Sequence, residues 1–168
     1  IAIQKLLKLN NSDKKLYVYD SFEGLPNTLP VDNLQVPEDI ITYFYCDIED
    51  YKNIIKNNNC PLPNITKAYF ADIPNLKIPP KIAFAFFDGD LYTSTLDFLN
   101  KVEDKMVDNS IILFDDYVHP HGIFPGTKIA CDEYFNSSEE VKFVDNTNLL
   151  DNDDEFYYVD SSTVSQGI

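Results

Sequence analysis

Two apolar runs that each end in a pair of carboxylates constrain this chain more than any other feature. Residues 82–87 lead into Asp88-Gly89-Asp90, and residues 110–114 lead into Asp115-Asp116. Short continuous apolar runs read as strands covered on both faces, the pattern of a parallel sheet flanked by helices. In an open α/β sheet, ligands bind at the carboxyl ends of the strands. Acids gathered there repel one another and raise each other's pKa unless a cation sits among them. Asp88, Asp90, Asp115 and Asp116 therefore point to a metal-assisted site. Their oxygens are hard donors suited to Mg²⁺, Ca²⁺ or Mn²⁺. Side-chain alternation would aim Asp88 and Asp90 the same way, and Gly89 would let the backbone turn or a ligand approach. The plainer alternative is that Asp90 and Asp116 only cap the segments that follow. Two such pairs, each ending a buried-looking strand, favour the site.

The rest of the chain supplies an alternating frame. Ile3, Leu6 and Leu7 sit at helical spacing and end at Asn10-Asn11-Ser12-Asp13. Residues 16–19 read as a strand closed by Asp20-Ser21, followed by a loop with Pro26, Pro30 and Pro37. Residues 40–45 read as a strand. Asp47 is placed to cap a helix reaching about Asn57, with Ile48, Tyr51, Ile54 and Ile55 inward. Residues 66–70 read as a short strand. After Asp90, Tyr92, Leu96, Leu99, Val102 and Met106 mark a helix, with Ser94 and Asp97 as a capping box. Residues 126–135 read as a helix with Ile129, Ala130 and Tyr134 inward. Residues 141–144 and 156–159 read as a closing hairpin around the acidic turn at 151–155. The expectation is one α/β domain over residues 1–168, a doubly wound, mostly parallel sheet with an antiparallel C-terminal hairpin.

At 168 residues and 44% hydrophobic content, the chain can bury a core. Its cations number 13, all Lys, against 28 acids, for a net charge of −15. Binding a nucleic-acid backbone needs a positive footprint, and none is visible. Cys46, Cys60 and Cys131 form no CxxC and read as reduced, buried thiols of a cytosolic protein. No run approaches the ~18 apolar residues of a membrane span. The first residues do not resemble a signal peptide, and Ile1 is expected not to be the native start.

Three further candidates have competing readings. Asp20, ending an early strand, could accept hydrogen bonds from ribose hydroxyls, with Ser21 adding a polar contact; an Asx turn that ends the strand is the commoner role. His119 and His121 could be a general base or a metal ligand, although loop histidines are more often simply exposed. The run at 151–155 lacks the Gly and trailing Glu of a calcium loop and reads as a solvated turn.

Taken together, three motifs resemble one family. Asp20-Ser21-Phe22-Glu23-Gly24-Leu25-Pro26 is similar to the DSFEGLP signature of the macrocin-type (TylF-like) O-methyltransferases. Residues 88–95 resemble their DGDLYxST motif and residues 112–117 their DDY motif; residues 125–135 resemble the helix that follows. The resemblance covers nearly all of the chain, in order. It implies a class I methyltransferase fold, S-adenosylmethionine as cofactor and a sugar hydroxyl as acceptor. It further implies that Asp88, Asp115 and Asp116 hold Mg²⁺, that Asp90 is the general base, and that Asp20, with Ser21 and Phe22, binds the cofactor ribose. A homodimer or larger assembly is implied as well. The family's Gly-rich first strand and N-terminal lid have no counterpart here, which predicts an empty strand position between the Leu16 and Thr66 strands. Ala68 stands where a Gly is usual. Two readings compete: a module that keeps the fold without catalysis, and a glycosyltransferase, because Asp88-Gly89-Asp90 also fits the DxD pattern. The Asp20–Gly24 loop and the second acid pair count against the latter.

Overall fold

The structure is a computed structural model that describes residues 1–32, 44–115, 117 and 125–135, and the backbone of two later strands at 142–145 and 157–160. The chain divides into two compact units: Ile1–Pro26 with Pro37–Lys77, and Asn27–Val36 with Ile78–Ile168.

The first unit holds helix α1 (Ala2–Leu9), strand β1 (Tyr17–Asp20), helix α2 (Ile48–Asn57) and strand β2 (Asn64–Lys67). On α1 the buried residue is Gln4, whose amide donates to the Pro61 carbonyl. Helix α2 starts where Asp47 predicts. Its carboxylate accepts from the N–H groups of Glu49 at 2.7 Å and Asp50 at 3.2 Å, satisfying two donors that a helix start leaves without partners. The inward face is narrower than expected: Ile55 is buried, whereas Ile54 is 51% exposed. Successive helical residues lie about 100° apart, so the two cannot share the centre of one face.

Strands β1 and β2 pair in parallel, from Tyr17 opposite Asn64 to Asp20 opposite Lys67. This overturns the expected empty position between them. The ladder is closed at both ends, by Asn64 N–H to Leu16 O and by Ala68 N–H to Asp20 O, each at 2.9 Å. Strand β2 also ends earlier than the sequence suggests, because Phe70 opens the 3₁₀ turn Phe70–Asp72. Of the strand expected over residues 40–45, only Phe44 and Tyr45 are described, and neither is in a strand.

The second unit holds β3 (Ile82–Phe87), α3 (Tyr92–Val102), β4 (Met106–Phe114), α4 (Gly126–Phe135), β5 (Lys142–Asp145) and β6 (Tyr157–Asp160). The sheet order is β3-β4-β6-β5. β3 and β4 are parallel, and β6 runs antiparallel to both of its neighbours, which is the expected mixed sheet with its C-terminal hairpin. The acidic turn at 151–155 lies outside the described residues. Met106, expected on the helix, opens β4, because α3 stops at Val102 and a 3₁₀ turn (Glu103–Lys105) intervenes.

Aromatic side chains sit in the core of this unit beside the aliphatic Leu91, Leu99, Val102 and Ile112. Phe87 stacks on Phe98 of α3 at 4.6 Å and meets Phe114 edge-on at 5.7 Å. Helices α3 and α4 meet through small groups, including Thr95 and Thr127, whose hydroxyls lie 3.3 Å apart. The buried positions of α4 are Gly126, Thr127, Ala130 and Cys131, whereas Ile129 and Tyr134 are half-buried. Strand β3 is not covered on both faces. Phe84 and Phe86 are each 45% exposed, and Ile111, opposite Phe84, is 37% exposed. Helix α3 occupies the Phe87 face and leaves the other open. The thiols differ too: Cys131 is buried, Cys60 half-buried and Cys46 exposed. Burial first, then Asp132, pushes the Cys131 thiol pKa up, with Lys128 opposing. Among the described residues, no helix is long and apolar enough to cross a membrane.

Candidate functional site

The parallel pairing of β3 and β4 brings two carboxylates to neighbouring strand ends. Phe87 lies opposite Phe114, and the ladder continues one step further through Asp115 N–H to Phe87 O at 2.9 Å. Asp88 and Asp115 therefore leave the sheet side by side at its carboxyl edge, Asp88 exposed and Asp115 half-buried. Asp116, His119 and His121 lie outside the described residues.

Asp90 departs from the sequence argument. Its φ is +56°, a conformation uncommon for a residue with a Cβ, and Leu91 N–H turns back onto the Gly89 carbonyl. This tight γ-like turn breaks the alternation that would have aimed Asp88 and Asp90 together. Asp90 turns inward and is 7% exposed. Observed strain of this kind is concentrated at functional positions. Leu91, the next residue, is fully buried and anchors the turn.

The expected capping box is not formed. Helix α3 starts at Tyr92 with Leu91 as N-cap and no capping side chain of its own. Ser94, expected at the cap, is buried inside the first turn. The Tyr92 N–H is instead met by the carboxylate of Asp32 at 2.7 Å. Sequence reasoning missed Asp32. An acid 60 positions from its partner leaves no local pattern to read. Further along, the Tyr92 hydroxyl donates to Glu133 at 2.6 Å, and this bond, ahead of other causes, raises the tyrosine pKa. Tyr117, in the third motif, donates to Asp132 at 2.8 Å and lies beneath the Lys128 ammonium, 5.5 Å from the ring centre.

In the first unit, Asp20, Ser21 and Phe22 form a compact turn after β1. Asp20 is exposed, and one of its oxygens accepts from Phe22 N–H at 2.6 Å. This is the Asx turn weighed for it above. The Ser21 hydroxyl accepts from Glu23 N–H at 3.0 Å and donates to Gly24 O at 2.9 Å. Phe22 has φ +54° and is 4% exposed, its ring 5.6 Å from that of Tyr51. Burial first, then the Asp20 charge, raises the Tyr51 pKa. Ser21, Glu23, Lys67, Ala68 and Tyr69 line part of a cleft of about 490 Å³ at the carboxyl ends of β1 and β2. Of these, Lys67 and Glu23 form an ion pair at 3.0 Å. The volume lies within the usual range for small-molecule sites.

Among the described residues, no group of three or more His, Cys, Asp or Glu side chains converges as a metal site. Asp88 and Asp115 supply two carboxylates at adjacent strand ends. That donor set fits Mg²⁺, which commonly takes one or two carboxylates and fills its remaining positions with water and substrate oxygens.

Comparison with known proteins agrees with the motifs. The family model for macrocin O-methyltransferase (TylF) matches residues 1–152. The chain is similar in fold to the O-methyltransferase NovP, with a TM-score of 0.78, 21% identity, and coverage of 94% of this chain and 64% of that one. It is also similar to CalS11, a calicheamicin methyltransferase, with a TM-score of 0.68, 18% identity and coverage of 95% and 65%. The apo form of CalS11, described as a TDP-rhamnose 3'-O-methyltransferase, gives a TM-score of 0.62 at 17% identity, with coverage of 94% and 64%. The chain thus spans a little under two thirds of the length of these proteins. No curated protein matches it in sequence.

Proposed function

The chain belongs to the macrocin O-methyltransferase (TylF) family, and from that premise we propose that it transfers a methyl group from S-adenosylmethionine to a hydroxyl of a sugar or glycosylated small molecule. The observation that carries the proposal is the carboxyl edge of β3 and β4. There Asp88 and Asp115 end adjacent strands while Asp90 is turned inward by a positive-φ turn. The description of CalS11 as acting on TDP-rhamnose supports a sugar acceptor.

An alcohol ionises far above neutral pH, so its oxygen needs help to attack a methyl sulfonium. In the proposed reaction the acceptor oxygen bonds to the methyl carbon. The carbon–sulfur bond breaks, and its electron pair stays on sulfur. The hydroxyl proton passes to the Asp90 carboxylate, leaving an ether and S-adenosylhomocysteine. Asp88 and Asp115, with Asp116, are the proposed holders of Mg²⁺. When bound, this ion would orient the acceptor and lower its pKa. Asp20 is the proposed partner of the cofactor ribose. Its Asx turn uses one oxygen and sets the direction of the other. Ser21 and Phe22 shape the same turn, and the neighbouring cleft is proposed for the nucleoside part of the cofactor. The acidic balance of the chain, −15 overall, favours a sulfonium cation. Its three free thiols support a reducing, cytosolic setting.

Calorimetric titration of S-adenosylhomocysteine, with and without Mg²⁺, tests the proposal. One-to-one binding with micromolar affinity supports it. Heat on titrating a UDP-sugar, with none from S-adenosylhomocysteine, sinks it in favour of the DxD reading. Absence of S-adenosylhomocysteine binding under either condition leaves this chain as a methyltransferase fold without its cofactor.

A further inference from the structure

Asp32 is a charged side chain with 1% of its surface exposed, in the short 3₁₀ turn Pro30–Asp32. A carboxylate is held at such depth only when its oxygens are well supplied with donors. One oxygen accepts from Leu29 N–H and the other from Tyr92 N–H, both at 2.7 Å. Tyr92 is the first residue of α3, whose leading N–H groups have no partner within the helix. The helix dipole adds a further attraction for a negative charge at this end.

The opposite wall is equally specific. Gly126 opens α4, and a Cβ at that position would stand 2.4 Å from the Tyr92 nitrogen and 2.6 Å from the Asp32 oxygen. Three segments distant in sequence thus converge on one amide. Between that amide and Asp90 stands only Leu91, which is completely buried. Whatever fixes Tyr92 therefore fixes the exit of the strained turn that carries Asp88 and Asp90.

We propose that Asp32 is a positioning residue: its carboxylate acts as the remote N-cap of α3 and thereby sets the direction of the Asp88–Asp90 turn. The geometric part stands on these contacts alone. Its consequence for turnover rests on the methyltransferase reading.

The test compares Asp32→Ala, Asp32→Asn and Gly126→Ala in the full chain by amide hydrogen exchange and amide chemical shifts. Loss of a cap in Asp32→Ala should speed exchange at Tyr92 roughly tenfold and move the Gly89 and Asp90 amide shifts, with β4 protection kept. Asp32→Asn retains one acceptor oxygen and should fall between. Gly126→Ala keeps the Asp32 side chain, but its Cβ would push the carboxylate off the Tyr92 amide, so it should reproduce the loss, and combining it with Asp32→Ala should add little. Unchanged Tyr92 exchange in Asp32→Ala overturns the cap, and unmoved Gly89 and Asp90 shifts overturn the positioning role. Where the parent chain transfers methyl groups, kcat should fall about tenfold in Asp32→Ala, with KM for S-adenosylmethionine unchanged and partial rescue in Asp32→Asn; an unchanged kcat overturns the role. A parent chain that binds no S-adenosylhomocysteine defeats the functional reading and leaves the exchange and shift results to decide the cap.

Discussion

Asp90 combines three properties that seldom meet in one side chain: a carboxylate, 7% exposure and a φ of +56°. Asn is among the residues best tolerated at positive φ. Asp90→Asn should therefore keep the turn and remove only the proton acceptor. Methyl transfer is expected to fall roughly 100- to 10,000-fold, the range for loss of a general base. S-adenosylhomocysteine affinity, measured by calorimetry on the same variant, should stay within experimental error. A variant that still turns over at the parent rate moves the base elsewhere. Tyr19 gives the corresponding prediction for stability. Its hydroxyl donates to Lys77 O at 2.8 Å, and burial, then neighbouring Tyr17, raises its pKa to about 12 from an ordinary 10.0. The unfolded chain releases this proton near pH 10 and the folded chain near 12, so between them the folded state holds more protons and stability falls as pH rises. The contribution is complete below pH 10 and lost above the folded value. Tyr19→Phe should flatten this part of the alkaline decline, measured as the denaturant midpoint from about pH 9 to 12. A decline as steep as in the parent would assign it to other groups.

At the scale of elements, what could be read in advance was whatever is set by neighbours along the chain. Asp47 capped its helix because an Asp two and three residues before open N–H groups is a local arrangement. The runs ending at Phe87 and Phe114 became adjacent parallel strands, and the C-terminal hairpin closed antiparallel. Two of the larger misses are non-local. The α3 cap comes from Asp32 rather than Ser94, because an N–H takes whichever acceptor tertiary packing brings to it. The direct pairing of β1 with β2 depends on which strands fold against each other, and spacing along the chain does not record that. The γ-like turn at Asp90 was half legible: Gly89 announced a bend, but the positive φ fell on the following residue. The candidate site divides along the same line. Its residue types and order were visible, whereas the opposite exposures of Asp88 and Asp90 were not.

At the scale of the whole molecule, two opposing features govern how copies of the chain behave toward one another. The β3–β4 sheet presents Phe84, Phe86 and Ile111 on one face, at 45%, 45% and 37% exposure. Contiguous apolar surface of this kind favours association. The net charge of −15 opposes it, because like-charged copies repel. Repulsion between exposed charges is screened over a Debye length of about 30 Å at 0.01 M salt but about 3 Å at 1 M, whereas apolar attraction is not weakened by salt. Self-association is therefore expected to strengthen as salt rises, the reverse of an interface built on ion pairs. Sedimentation velocity across that salt range reads the effect directly. Phe84→Ser combined with Phe86→Ser removes most of the patch without touching the buried Phe87 and Phe114, so the double variant should stay dispersed at high salt. Association that weakens with salt, or that persists in the double variant, would place the contact on another surface.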